Sequence, residues 1–127
     1  MMVACTDGPS SPATQGPFEY DVRVGAETFV IRATTPSEDS ALTRRWRSGI
    51  SGVITGQVSP GNGGFNGPWH WHLHPETVRV VDVTIEWCDG TPSMVEAAML
   101  RSTWPPGYYC PWGAKIVGRR TQTSPMR

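Results

Sequence analysis

The chain lacks an excess charge of either sign. Its 127 residues carry eleven basic and eleven acidic side chains, and the isoelectric point lies near 6.8. No global field therefore recruits DNA, RNA or an anionic lipid surface, and nucleic acid is not an expected partner. Lysine is almost missing: ten of the eleven basic residues are Arg, which we read as compositional bias rather than as phosphate recognition. No stretch approaches the ~18 apolar residues needed to span a bilayer. Cysteine is scarce, at three, and no Cys-x-x-Cys pair offers the closely spaced ligands of a structural zinc site. The common catalytic signatures are missing too. There is no Gly-x-Ser-x-Gly elbow. Gly61-x-Gly63-Gly64 lacks the Lys-Ser/Thr of a phosphate-binding loop. Glu19, Glu27, Glu76 and Glu86 are candidate glycosidase carboxylates, but no spacing selects two of them.

What is present suffices for one folded domain. Hydrophobic residues make up 38% of the chain and include six Trp, enough for a core at this length but not for two. The 14 Gly and 12 Pro concentrate in 8–16, 60–68 and 104–113, between segments of regular pattern, and so mark loops. The expected organisation is a flexible segment 1–16, a globular domain 17–118, and a polar tail 119–127 that frays.

Local chemistry places the elements. Phe18, Tyr20, Val22 and Val24 alternate with Glu19, Asp21 and Arg23, the period-two signature of a half-buried strand. Gly25-Ala26 turns the chain into a second strand, 28–33, which completes a hairpin. Thr35-Pro36-Ser37-Glu38 opens a helix with a capping residue, a first-turn proline and a capping-box carboxylate, and Gly49 stops it. Within it, Trp46 among arginines is similar in miniature to a calmodulin-target or membrane-surface helix. Because the helix is short and well capped, we read those arginines as a solvated face. Further strands are expected at 50–58, 69–74, 81–87 and 114–117, with a bulge near Val80 and Val81, where the alternation changes phase. Thr91-Pro92 caps a second helix whose buried stripe is Val95, Ala98 and Met99. About six short strands and two helices outside βαβ order give an α+β fold with a mostly antiparallel sheet.

Cys88 and Cys110 each stand at the edge of a structured segment. A disulfide between them would close a loop of about 22 residues and contribute roughly 3 kcal/mol by chain entropy. The alternative is two buried thiols in a reducing compartment. Cys5, in Met2-Val3-Ala4-Cys5-Thr6-Asp7, precedes a Ser/Pro/Thr/Gly stretch and resembles the lipobox of a bacterial lipoprotein. Membrane attachment is expected only through a lipid anchor there. The basic and apolar regions of an export signal are not among the residues before it.

The run Pro68-Trp69-His70-Trp71-His72-Leu73-His74-Pro75, then Val83-Thr84-Ile85-Glu86-Trp87-Cys88-Asp89-Gly90, then Tyr109-Cys110-Pro111-Trp112-Gly113, resembles the BP-seventy-four N-terminal domain family. With the helix at 35–49, the similarity spans roughly 18–118. It implies a compact exported domain with paired cysteines, and His72 matches a usual histidine of the pattern.

Two functional readings follow. Residues i and i+2 of a strand lie about 6.5–7 Å apart on one face. His70 with His72, or His72 with His74, could therefore share a zinc ion, with Asp82, Glu86 or Glu76 as a third ligand. The other reading rests on aromatics. Trp71, Trp87 and Trp112 read as core. Trp104, Tyr108 and Tyr109, in a Pro/Gly loop, read as an exposed surface for a protein, peptide or glycan. A non-catalytic, exported binding module without a cofactor is the expectation, and a zinc-type metalloprotein is the alternative.

Overall fold

A computed structural model describes residues 17–49, 53–81 and 86–121. Phe18–Val24 (β1) and Glu27–Ala33 (β2) form the expected hairpin, paired from Phe18↔Ala33 to Val24↔Glu27. Gly25 takes a left-handed φ of 63°, the conformation a two-residue hairpin turn requires. The apolar residues of β1 all point inward and are buried.

Pro36–Ser48 (α1) is built as its sequence predicts. The Thr35 hydroxyl accepts the Glu38 N–H at 3.2 Å, and Gly49 closes the helix with φ 70°. Leu42 is buried in the core, and Trp46 packs against it. The Tyr20 hydroxyl meets α1 at the Asp39 carboxylate and at Thr43 Oγ1, 2.7 Å away. Burial, then the Asp39 bond, raise the Tyr20 pKa above its ordinary value.

The second sheet gathers on Val53–Pro60 (β3). It pairs antiparallel with Trp71–Leu73 (β4) at Val58↔Leu73, with Arg79–Val81 (β5) at Ile54↔Val80, and with a later two-residue strand, Tyr108–Tyr109 (β6), at Gly56↔Tyr109. Pro92–Arg101 (α2) lies between β5 and β6 in the chain. It is capped by Thr91, and its Val95 and Ala98 are buried. The Glu27 carboxylate accepts the N–H and hydroxyl of Ser93, each at 2.8 Å, fixing the first hairpin to the positive end of this helix. Lys115–Thr121 (β7) returns to β1 and completes the sheet order β2-β1-β7. The fold is α+β, with two helices and two antiparallel sheets of three and four strands among the described residues. No helix among them is long and apolar enough to cross a membrane.

Several boundaries differ from expectation. The strand expected over 69–74 is only Trp71–Leu73, because the chain is still turning before it: the Trp69 N–H donates to Asn66 O at 3.0 Å. Of the strand expected over 81–87, Val81 closes β5 and Glu86–Cys88 forms a 3-10 turn. Residues 50–52 and 82–85 lie outside the described residues, as does any bulge beyond Val81. β5 itself pairs in continuous register. The tail expected to fray from 119 instead continues β7 to Thr121. Arg119 binds the Asp39 carboxylate at 2.9 Å, and Arg120 binds Asp21 at 2.9 Å and Glu19 at 3.4 Å.

Asn66, fully buried, joins the sheets. Its Oδ1 accepts the Val30 N–H of β2 at 2.7 Å, and its Nδ2 donates to Trp71 O of β4 at 2.8 Å. Asn66→Ala would leave the partly buried Val30 N–H and the buried Trp71 carbonyl without this partner. It is expected to cost roughly 2–4 kcal/mol in a denaturant titration. A loss below about 1 kcal/mol, less than one unsatisfied buried group costs, would show that Asn66 is not the tie between the sheets.

Candidate functional site

The sequence elements Cys88-Asp89-Gly90 and Cys110-Pro111-Trp112 meet in space at one corner. Cys88 and Cys110 form a disulfide with Cα atoms 5.2 Å apart, as expected. Beside it, the Cys110 N–H donates to Cys88 O at 2.9 Å. Asp89 acts as a clamp: its Oδ1 accepts the Gly90 N–H at 2.8 Å and the Trp112 N–H at 2.9 Å. Gly90 is closely approached. A Cβ there would lie 3.3 Å from Trp104 Cη2 and 3.4 Å from Met94 Cε. Its carbonyl accepts the Tyr109 hydroxyl at 2.7 Å. Each residue of the Cys-Asp-Gly motif thus has a distinct structural task.

The aromatic loop is held just as firmly. The Gly107 N–H donates to Trp104 O at 3.0 Å, the Val58 N–H to Gly107 O at 2.9 Å, and Trp104 Nε1 to Tyr108 O at 2.8 Å. These bonds carry Trp104 into the core, where it is 8% exposed, contrary to the expectation of a surface residue. Tyr109 is also buried, its ring set edge-on to Trp71 at 5.6 Å and to Trp104 at 6.1 Å. The reason is alternation. Adjacent strand residues face opposite sides, so only one of Tyr108 and Tyr109 can reach solvent. Tyr108 does, at 49% exposure. Two tryptophans read as core are exposed instead: Trp87 at 65%, in the 3-10 turn before the disulfide, and Trp112 at 37%, in the turn after it. Trp71 is fully buried, as expected.

Burial of Tyr109, with the charges of Asp89 and Glu27 nearby, pushes its pKa far above the ordinary tyrosine value. The hydroxyl therefore remains a neutral donor to Gly90 throughout the usual pH range. Around the exposed aromatics, the polar groups of Asp89 and Tyr109 are engaged in holding backbone.

The three histidines are dealt to three neighbours. His70 Nδ1 meets Glu96 Oε2 of α2 at 2.6 Å, and its backbone N–H donates to Glu96 Oε1 at 2.8 Å. His72 Nδ1 donates to Gly61 O at 2.7 Å, and its ring lies edge-on to Phe65 at 5.5 Å. A Cβ on Gly63 would fall 2.7 Å from that ring, so the glycine loop is shaped to admit it. His74 is exposed and approaches Glu76 at 3.9 Å. His70 and His72 therefore turn to different elements, one to α2 and the other to the loop before β4. Among the described residues no group of three His, Cys, Asp or Glu side chains is placed to hold a metal ion. Asp82 lies outside those residues, as does Cys5.

Burial alone would raise the Glu96 pKa, but the His70 backbone N–H and imidazole outweigh it and hold the carboxyl below the ordinary value.

The signal that could have found this corner lay in the sequence. Trp87 and Trp112 are one residue before and two residues after the paired cysteines, so their Cα atoms lie within about 16 Å of each other.

The sequence model of the BP-seventy-four N-terminal domain matches residues 15–123. No curated protein matches the chain significantly. No solved structure does so either.

Two outcomes are expected. Replacing both Cys88 and Cys110 with Ser should lower unfolding free energy by about 3 kcal/mol, the chain-entropy value for a loop of this length. An unchanged denaturation midpoint would contradict it. Glu96→Gln should reduce thermal stability at pH 7, because a carboxyl with a depressed pKa stabilises the fold only while ionised. That difference should shrink as pH falls through and below the ordinary glutamate value of 4.5. A pH-independent difference between the two melting curves would rule out the carboxylate as its source.

Proposed function

Because the chain belongs to the BP-seventy-four N-terminal domain family, whose paired cysteines it carries as a disulfide, we propose that it is an exported, non-catalytic binding module. One observation carries this reading: Trp87, Tyr108 and Trp112 are exposed around the buried Cys88–Cys110 disulfide. Large aromatic side chains cost free energy to leave in water, and on a braced scaffold they lose little entropy when a partner covers them. The brace here is covalent and hydrogen-bonded at once. The partner is a protein, peptide or glycan, whose apolar faces would stack on the indoles and whose polar groups would meet their N–H edges.

Export is supported by the disulfide, since such bonds persist in oxidising compartments and are rare where glutathione keeps thiols reduced. Attachment to the cell envelope would run through a lipid on Cys5, with residues 6–16 as the tether. The non-catalytic reading is supported by the use of Asp89 and Tyr109, which are committed to backbone groups rather than to one another.

The test is a glycan array and a peptide-display library probed with the whole chain. Hits are then measured against the variant W87A/Y108A/W112A. Because these three side chains are exposed, the variant should keep its thermal midpoint within about 2 °C. Its affinity for a true ligand should fall by at least about thirtyfold, the effect of losing one aromatic anchor worth ~2 kcal/mol. Ligands bound equally well by both proteins would place the binding surface elsewhere.

A further inference from the structure

The arginines of α1 have an architecture that a solvated face does not explain. An open depression of about 360 Å³ between α1 and β7 is lined by Asp39, Ser40, Thr43, Arg44, Arg47 and Arg119. The one carboxylate in it is already matched: Asp39 accepts from Arg119 Nε at 3.0 Å and from Arg119 Nη2 at 2.9 Å. Arg44 and Arg47 are exposed, and among the described residues neither pairs with a carboxylate. Three guanidiniums therefore stand against one acid.

Arg44 and Arg47 are three residues apart, so they are neighbours on one helical face, with Cβ atoms about 5–6 Å apart. Like charges at that spacing repel and weaken a helix unless a counterion lies between them. The end of α1 does attract cations, but its partial charge is only about half a unit, less than the excess in the depression. Nor is this an amphipathic helix for a lipid surface. Leu42 is buried, and Trp46 packs on the same core, so the apolar side of α1 is already covered. A soluble ligand fits better.

We infer that this depression binds a tetrahedral oxyanion, the sulfate or phosphate group of a soluble ligand. Each guanidinium presents a planar fork of N–H donors. Two of them converging from one helix face suit a group with three or more acceptor oxygens, where a carboxylate has two. Arg119 adds a fixed positive charge. Its bond to Asp39 outweighs burial and raises its pKa further, so it stays protonated. Ser40 contributes a hydroxyl at the rim.

The whole chain should be titrated at low ionic strength with inorganic phosphate, inorganic sulfate and acetate, by calorimetry and by amide chemical shifts. The expected result is saturable binding of phosphate or sulfate, with shifts confined to residues near 39–47 and 119. Acetate, with fewer acceptor oxygens for the guanidinium forks, should bind about tenfold more weakly or worse. R44Q/R47Q should weaken the oxyanion by at least about tenfold while the ligand-free melting temperature stays the same or rises slightly, as relief of the like-charge pair requires. Tighter phosphate binding would point to a phosphate ester as the natural group, and tighter sulfate binding to a sulfate ester. Three results would overturn the inference: no saturable binding by either oxyanion, shifts centred elsewhere, or acetate binding as tightly. If the double variant lost its fold, the shift map of the unmodified chain would decide alone.

Discussion

The structure turns on where the Tyr109 side chain has to go. Its ring is fully buried against Phe29 of the first sheet, Trp71 of the second, and Trp104 of the loop before β6. Edge-on and tilted aromatic pairs of this kind contribute about 0.5–1.5 kcal/mol each beyond the area they bury. A phenol in that position also brings a hydroxyl into the interior, and an unpaired one would cancel much of the gain. Gly90 O provides the partner at 2.7 Å. For that carbonyl to be within reach, the segment before α2 must lie directly over β6. The disulfide, the Asp89 clamp and the missing Cβ of Gly90 secure that approach. The same constraint sets the start of α2, because Thr91 caps it immediately after Gly90.

Elements governed by neighbours in sequence were legible. The β1–β2 turn needs a residue that tolerates positive φ, and Gly25 supplies it. Both helices announce themselves by a threonine cap followed by proline, and α1 also by its terminal glycine. The buried side of β4 was readable as well, since Trp71 and Leu73 alternate with histidines and both are fully buried. What could not be read locally depended on partners far along the chain. Arg119 and Arg120 look like a solvated tail until Asp39, Asp21 and Glu19 are known to sit beside them. Trp104 looked exposed because prolines and glycine surround it, yet the loop's own hydrogen bonds turn it inward. Loop composition speaks of backbone conformation, not of which side chains the loop covers.

The histidines show the same limit from the other side. Strand periodicity predicts which residues share a face only while the strand lasts, and β4 is three residues long. His70 lies before it, where the turn from Asn66 sends its side chain to Glu96, while His72 is drawn to the glycine loop. The glycines at 61, 63 and 64 lack the lysine of a phosphate-binding loop. Gly63 has a packing reason instead, because the His72 ring occupies the space a side chain there would need, while Gly61 and Gly64 adopt left-handed φ of 79° and 88°.

Rigidity at the disulfide corner bears on what kind of function the domain supports. A catalytic site generally keeps some polar groups uncommitted, because they must exchange protons or bonds with a substrate. Here the Asp89 Oδ1 and the Tyr109 hydroxyl hold backbone groups, and the large side chains exposed beside them are the indole and phenol rings of Trp87, Tyr108 and Trp112. Such a surface gains by being covered and changes little when it is. The α1 depression differs in kind. Its arginines gain by neutralisation rather than by dehydration, and salt would weaken them while leaving the aromatics unaffected. A ligand carrying both a flat apolar face and an oxyanion would need to reach from one surface to the other. Two separate small ligands would not, and the salt dependence of binding would tell these cases apart without any change to the protein.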